Sequence, residues 1–476
     1  MPVIPCIPIP SPQQINNKLF PEGTVEPEEL PSAWNARALL TPFGGQMNAA
    51  ISPADQLVIA NVTYDAGDPD NRFMRVGLYL FESLRYYNFF FKTSGAQTQW
   101  WWLISDPADP DDTPANAFGP FATAAIVPPS DLLRLSNFTH AGNWAVLGRS
   151  CDAFSGRGKA EAGTWYWFNA SGNLSRIMNF DPSNDFQIAI FGAYYLVDFP
   201  TFRQVASSNL SDIHRLCSGT GGLAQAPSPM LTLCDILLAM ASPPSGAQTP
   251  CTLRQMQGLL PGIAPPAGTL SPPSWTHRVN SECFMIGLLM SPYYCQLWYD
   301  WDRGMQITVF VWPDTSGAYT VRMDQWLPRG KRGPAIFYSW DGAKWAPACY
   351  VPPKETSVAM PVPCFVKHDG GICRATIEKN GYFGSISIWT VALPDDSGRP
   401  ASDFWLWFNP KSQGVIFSLA PSVSLSLIDY QNFVQDGAID ACIFADPCMD
   451  ISECSSQLMA WAKNRPRFAP LGHGPG

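Results

Sequence analysis

The chain has 476 residues, of which 46% are apolar, enough to bury more than one hydrophobic core. Only 14% of the residues are charged, against about 25% in an ordinary soluble domain, which predicts that other protein surfaces cover much of the exterior. The formal net charge of −9 argues against a nucleic-acid-binding module that works by charge attraction.

The aromatic and proline content indicates an all-β protein. The chain has 46 prolines scattered along its length, together with 18 Trp and 28 Phe. Proline is excluded from helix interiors and central strands, whereas aromatic side chains favour half-buried pleated surfaces. We therefore expect short strands joined by long, stiff loops.

The first half of the chain begins with a segment unlike the rest. Residues 1–50 are rich in proline and lack periodicity, so we expect an extended N-terminal arm. No signal peptide is predicted there, and no apolar stretch in the chain is long enough to predict a membrane-spanning helix.

A first β domain is predicted over residues 51–202. Its strands, identified from aromatic runs or alternation, are 56–64, 83–92, 97–105, 163–169 and 185–199.

The second half repeats this organisation. Residues 203–280 are predicted to be an inter-domain linker with one short helix at 231–240. A second β domain is predicted over 281–434, followed by a C-terminal extension over 435–476. The strands predicted near 304–312 and 319–324 alternate cleanly between apolar side chains on one side and polar ones on the other. The polar side includes Gln306, Thr308, Arg322 and Asp324.

Two short motifs occur once in each half and in the same order. Thr-Ser-Gly-Ala occupies 93–96 and 315–318, and Trp-x-Trp-Phe-Asn occupies 165–169 and 405–409. Shared order and strand context indicate a duplicated β domain. Long proline-rich loops favour strands that cross between two sheets. The predicted fold is therefore all-β, with two tandem eight-stranded antiparallel jelly-roll sandwiches.

The stretch 298–312 resembles a segment of picorna-like virus capsid proteins. In those proteins a short aromatic helix runs into an Arg-Gly pair, and two strands joined by a turn follow; here Arg303 and Gly304 match the pair. Two such domains in one chain resemble the large capsid subunit of comovirus-type plant viruses.

The resemblance implies a structural function in an RNA virus. It implies self-assembly, with a smaller second capsid subunit, into an icosahedral pseudo-T=3 shell around an RNA genome. The partners would be other copies of the chain, the second subunit and, weakly, the packaged RNA. The protein would be assembled in the host cytoplasm and would reside in the virion.

No residue pattern indicates catalysis. The five histidines are far apart in sequence and none lies in a metal-binding spacing, and no CxxC pair occurs among the 13 cysteines. We therefore predict no catalytic, cofactor-binding or metal-ligating residues, no cofactor and no enzymatic activity. The cysteines are expected to be free thiols.

A second function remains open from the residues alone. A tandem β-sandwich or β-barrel protein that binds a ligand, or a small-molecule cyclase, would also account for the aromatic residues and the duplication.

Overall fold

The computed structural model describes residues 7–19, 29–42, 58–80, 85–104, 117–124, 127–135, 138–147, 149–156, 164–179, 195–206, 263–264, 270–286, 292–313, 319–327, 331–355, 360–368, 370–377, 386–394, 400–409, 414–420, 426–444, 451–456 and 458. The chain divides into two units. The first unit comprises Gly23–Pro265 with Ile377–Lys379, and the second comprises Met1–Glu22, Pro266–Thr376 and Asn380–Gly476.

The first unit is built on one sheet of eleven antiparallel strands. Their order is β6-β5-β4-β3-β2-β1-β11-β10-β9-β8-β7, so consecutive strands lie side by side except for β6 and β7 at the two edges, and the first strand also pairs with the last. The strands are β1 (Ala33–Pro42), β2 (Val58–Asp65), β3 (Asn71–Leu80), β4 (Arg85–Ser94), β5 (Gln97–Ile104), β6 (Ala117–Ala124), β7 (Phe138–Val146), β8 (Arg149–Gly156), β9 (Thr164–Asn169), β10 (Leu174–Asn179) and β11 (Tyr195–Gln204).

The sheet of the second unit has the same strand order. Apart from the two-residue strands β12 and β19, it runs β20-β21-β22-β23-β24-β13-β14-β15-β16-β17-β18, and its first long strand again pairs with its last. The strands are β13 (Arg278–Ile286), β14 (Pro292–Asp300), β15 (Met305–Pro313), β16 (Tyr319–Leu327), β17 (Lys331–Trp340), β18 (Trp345–Val351), β19 (Lys354–Glu355), β20 (Ile372–Ile377), β21 (Ile386–Pro394), β22 (Pro400–Asn409), β23 (Gly414–Ala420) and β24 (Ser426–Gln435). A two-residue strand, β12 (Ile263–Ala264), precedes them in the chain.

The predicted all-β antiparallel class is confirmed, but the two eight-stranded jelly rolls are not. In a jelly roll, strands cross between two sheets over long connections. Here sequence neighbours other than the two edge strands are also sheet neighbours, and connections can be tight: β4 and β5 are joined by two residues, with Gly95 at a φ of 58°. A glycine tolerates this left-handed conformation without strain. The structure therefore replaces the sandwiches with two eleven-stranded meanders.

Each sheet curls around a single core. In the first unit, one cluster of buried side chains draws members from ten strands, from Trp100 on β5 to Phe138 on β7. A flat sheet of that width could not bring its opposite ends into one cluster, because neighbouring strands lie about 4.8 Å apart. The second unit has an equivalent cluster, which includes Tyr299 and Phe408. The face that points into each cluster is called the inner face below.

The N-terminal residues are not the extended arm predicted for 1–50. Helix α1 (Pro12–Leu19) and strand β1 lie within that range. Ser11 and Gln14 form a reciprocal capping box, with Gln14 N donating to Ser11 Oγ and Ser11 N donating to Gln14 Oε1. Proline at the first helical position, Pro12, suits a helix start because its missing N–H has no partner there. Lys18 then pairs with Glu282 of the second unit at 2.8 Å.

The regions predicted as linker and C-terminal extension contain parts of the sheets. Strand β11 continues to Gln204 and β13 begins at Arg278, while the short helix predicted at 231–240 lies outside the described residues. After β24, a 3-10 helix spans Ala441–Phe444.

A disulfide joins Cys349 to Cys454, so the expectation that the cysteines are free thiols is wrong for this pair. Within the described part of the chain, no helix is long and apolar enough to cross a membrane.

Candidate functional site

A short helical segment crosses the inner face of each sheet in the same way. The first strap, residues 127–135, contains helix α2 (Leu132–Leu135), and the second strap, residues 360–368, contains helix α3 (Phe365–His368). Tyr64 Oη donates to Pro128 O at 2.8 Å, and Tyr299 Oη donates to Pro361 O at 2.9 Å. Each tyrosine lies on the second strand of its sheet, one residue before the aspartate that ends the strand.

These tyrosines fix the residue-by-residue equivalence of the two sheets. Tyr64 pairs with Met74, which pairs with Phe91. Tyr299 pairs with Gln306, which pairs with Trp326. Gln306 in the second unit therefore occupies the position of Met74 in the first.

Four inner-face positions on the third and fourth strands differ sharply in chemistry between the units. In the first unit all four are apolar or aromatic, and in the second all four are polar or charged, although every one is at most 5% exposed. The equivalent pairs are Met74 and Gln306, Val76 and Thr308, Tyr87 and Arg322, and Phe89 and Asp324. The four polar residues of the second unit are called the polar cluster below.

The polar cluster is built around an ion pair. Arg322 donates to Asp324 Oδ1 from Nε at 3.0 Å and from Nη2 at 2.6 Å. The guanidinium also lies 5.8 Å from the ring centroid of Phe337. Because the two charges cancel, the pair presents hydrogen-bonding groups but no net charge to the interior.

Gln306 has unused hydrogen-bonding capacity. Its Nε2 donates to Thr308 Oγ1 at 3.4 Å, whereas its Oε1 is buried and has no hydrogen-bond partner. The side chain is 0% exposed. A buried polar atom without a partner loses its bond to water and gains nothing in return. If the positions of the amide oxygen and nitrogen are exchanged, one end of the amide still has no hydrogen-bond partner.

The second strap is anchored beside Gln306. Met360 N donates to Leu327 O, next to Trp326, and Pro361 O accepts from Tyr299. Trp326 and Tyr299 are the two cross-strand neighbours of Gln306, so the strap is anchored on both sides of this residue. Trp275 supports the strap through an edge contact with Phe365, with ring centroids 5.3 Å apart.

The difference between the units indicates that the polar cluster is not needed for folding. Buried ion pairs contribute little net stability, since desolvation offsets their attraction. The first unit forms the same sheet and strap with apolar or aromatic side chains at these positions. By contrast, a buried aspartate on the last strand occurs in both units, as Asp198 and Asp429, and therefore belongs to the shared fold. Burial raises the pKa of Asp198, and its partner Arg176, at 2.6 Å, opposes that rise.

The sequence predicted no catalytic, cofactor-binding or metal-ligating residues, and the histidines give no reason to add one. His140 pairs with Asp152 at 3.0 Å and His277 with Asp302 at 2.7 Å. His368 ends helix α3, while His214 and His473 lie outside the described residues. In the described part of the chain, no group of three His, Cys, Asp or Glu side chains could hold a metal ion.

Arg303 and Gly304, which carried the viral resemblance, form a hairpin turn between β14 and β15. Residues 298–300 before them are strand and not helix. Gly304 has a φ of 64°, and Arg303 pairs with Asp300 at 3.5 Å. Local turn geometry accounts for the Arg-Gly pair without any capsid function.

Comparison with known proteins gave distant structural similarities alone. No family model and no curated protein matches the chain. It is similar to the solved MucA/MucB complex of Pseudomonas aeruginosa, with 8% identity, 85% of this chain and 94% of that chain covered, and a TM-score of 0.19. It is also similar to a DUF1329 family protein of Desulfovibrio piger (8% identity, 36% and 90% covered, TM-score 0.21) and to a DUF3598 family protein of unknown function of Nostoc punctiforme (7% identity, 84% and 95% covered, TM-score 0.11). Similarities this distant assign no function to the chain.

The viral interpretation is wrong. Residues 298–300 are strand where the resemblance requires a helix. The predicted icosahedral shell, the second capsid subunit, the packaged RNA genome and the location in a virion all depended on that resemblance. The meander order of the strands removes its structural basis as well.

Proposed function

We propose that the chain is a non-enzymatic binding protein whose second unit holds an apolar molecule carrying a polar group. The molecule would lie against the inner face of the second sheet, beneath the second strap. The observation that supports this proposal is the polar cluster: buried polar groups, one of them with an unpartnered oxygen, at positions where the first unit has apolar or aromatic side chains.

The surroundings of the polar cluster suit such a ligand. Binding sites for small molecules are mainly apolar and aromatic, with a few placed polar groups that fix orientation. Four buried aromatic residues lie on the same face as the cluster: Phe310 and Trp312 on β15, Trp326 on β16 and Phe337 on the adjacent strand β17. The aromatic wall would hold the apolar body, and the cluster would hold the polar group.

The second strap provides a route to the site. Its anchors over the sheet include the backbone bond from Met360 and the hydroxyl bond from Tyr299. Single hydrogen bonds of this kind contribute ~1 kcal/mol each. Strap displacement would expose Gln306 and Trp326, so we expect ligand entry to accompany movement of residues 360–368.

Dye displacement tests the proposal. The full chain is loaded with an environment-sensitive apolar dye, which is then displaced by hexadecanol. We expect saturable displacement for the wild type and a marked loss in a variant combining Arg322→Tyr with Asp324→Phe, which installs the first unit's residues. The matched control combines Tyr87→Phe with Phe89→Leu, conservative changes at the equivalent positions of the first unit, and should leave displacement unchanged. No saturable displacement, or equal displacement in the cluster variant, would contradict the proposal.

A further inference from the structure

The hydrogen-bonding state of Gln306 carries an inference that rests on the proposed function and deepens it. We infer that the polar group of the ligand is a neutral hydroxyl that bonds the Gln306 amide, and that the site discriminates against carboxylates and other anions. The ligand class is therefore a long-chain alcohol or a similarly hydroxylated apolar molecule.

The charge balance of the cluster opposes an anion. Arg322 donates from both Nε and Nη2 to Asp324 Oδ1, so the guanidinium is already neutralised. The cross-strand neighbours of Gln306 are Tyr299 and Trp326, and neither carries a charge at neutral pH. A carboxylate placed beside Gln306 would thus be a buried charge with no counter-ion, which is strongly unfavourable.

The amide of Gln306 matches a hydroxyl. One end of the amide bonds Thr308, and the other end has no partner in a fully buried side chain. A hydroxyl can both donate and accept, so it satisfies this end whichever way the amide is oriented. A carboxylate accepts only, and an alkane does neither.

The position of Gln306 also fits the head of an elongated molecule. The residue lies under the anchors of the second strap, near the start of β15, where Met305 begins the strand. The aromatic residues Phe310 and Trp312 follow on the same face further along that strand. A chain whose hydroxyl bonds Gln306 could extend along β15 over these two rings.

Three ligands with the same chain length test the inference: hexadecanol, hexadecanoate and hexadecane, each delivered from cyclodextrin at neutral pH. Dissociation constants are measured by displacement of the same dye from the wild type and from Gln306→Met, which restores the first unit's residue. We expect hexadecanol to bind the wild type at least about tenfold more tightly than hexadecanoate, a ratio equivalent to ~1.4 kcal/mol. Gln306→Met should weaken hexadecanol about tenfold and leave hexadecane unchanged.

The outcomes separate this inference from the proposed function. Unchanged hexadecane binding shows that Gln306→Met is folded, so a loss confined to hexadecanol supports the hydroxyl contact. If hexadecanoate binds the wild type as tightly as hexadecanol, or if Gln306→Met leaves hexadecanol unaffected, the inference is wrong although the binding function stands. If none of the three ligands displaces the dye, the proposed function itself fails.

Discussion

Replacing one member of the buried ion pair should be far more harmful than replacing both. Arg322 and Asp324 are only 6% and 2% exposed in their side chains, and their closest atoms are 2.6 Å apart. At an effective dielectric constant of ~20 the attraction is about 6 kcal/mol, but removing each ion from water costs several kcal/mol. Asp324→Leu leaves the arginine charge buried alone, so we expect a loss of about 3–5 kcal/mol in the free energy of unfolding.

The double variant with Arg322→Tyr and Asp324→Phe should recover most of that loss. The first unit has Tyr87 and Phe89 at the equivalent positions, so aromatic side chains are compatible with this sheet. Allowing for strain from imperfect packing near Phe337, we expect the double variant to lie within about 2 kcal/mol of the wild type. Urea unfolding followed by tryptophan fluorescence measures both variants. A double variant as unstable as Asp324→Leu would refute the argument that the pair is not needed for folding.

Three further predictions concern the strap, the alkaline limit and the C-terminal segment. Tyr299→Phe removes the anchor to Pro361 and should raise amide hydrogen exchange in residues 360–368 about fivefold, consistent with the loss of ~1 kcal/mol; unchanged exchange would show that the bond does not hold the strap. Burial raises the pKa of Tyr338 to about 12, so as the pH rises the unfolded state loses the phenolic proton at a lower pH than the folded state does. Its contribution to stability is therefore complete below pH ~10 and declines between pH ~10 and ~12, and Tyr338→Phe should flatten this decline in pH-dependent urea unfolding; an equal slope in the variant would contradict it. Cys454→Ser removes the Cys349–Cys454 disulfide and should lower the free energy of unfolding by ~2–5 kcal/mol in urea unfolding without reductant; an unchanged free energy would contradict a stabilising role of this bond.

The fold class could be read from the sequence, but the strand order could not. Aromatic and β-branched runs bounded by glycine and proline mark strands whichever strands they pair with. A long proline-rich loop between two strands is compatible with a crossover or with a wide hairpin, and here the hairpin forms. The N-terminal helix did leave a local signal that was missed, the capping residues Ser11 and Gln14 around Pro12.

Only one of the two repeated motifs marks equivalent positions of the two sheets. Trp-x-Trp-Phe-Asn lies on β9 and β22, which are the equivalent third-from-last strands of the two sheets. Its asparagine has a local function, since Asn169 Oδ1 accepts from the backbone N–H groups of Ser171 and Asn173 in the hairpin turn. Thr-Ser-Gly-Ala follows the fourth strand of the first sheet but the third strand of the second. The duplication is therefore genuine, whereas this second match is a coincidence of turn chemistry.

The alternation that predicted strands β15 and β16 did not identify the candidate site on them. Gln306, Thr308, Arg322 and Asp324 all lie on the polar side of β15 and β16, as predicted. A polar side ordinarily faces solvent. In this sheet that side is the inner face, and the opposite residues, such as Val309 and Val321, are buried as well. Sequence alternation shows which side chains share a face, but it does not show which face the curled sheet encloses.

Photo-crosslinking locates the ligand most directly. A long-chain alcohol carrying a diazirine is bound to the full chain and activated by light, and the labelled peptides are identified by mass spectrometry. We expect the label on β15, β16 or the second strap, from Met305 to Leu327 and from Met360 to His368, with competition by unmodified hexadecanol. A label distributed equally over β3 and β4 of the first sheet, or one that hexadecanol does not displace, would contradict a binding site in the second unit.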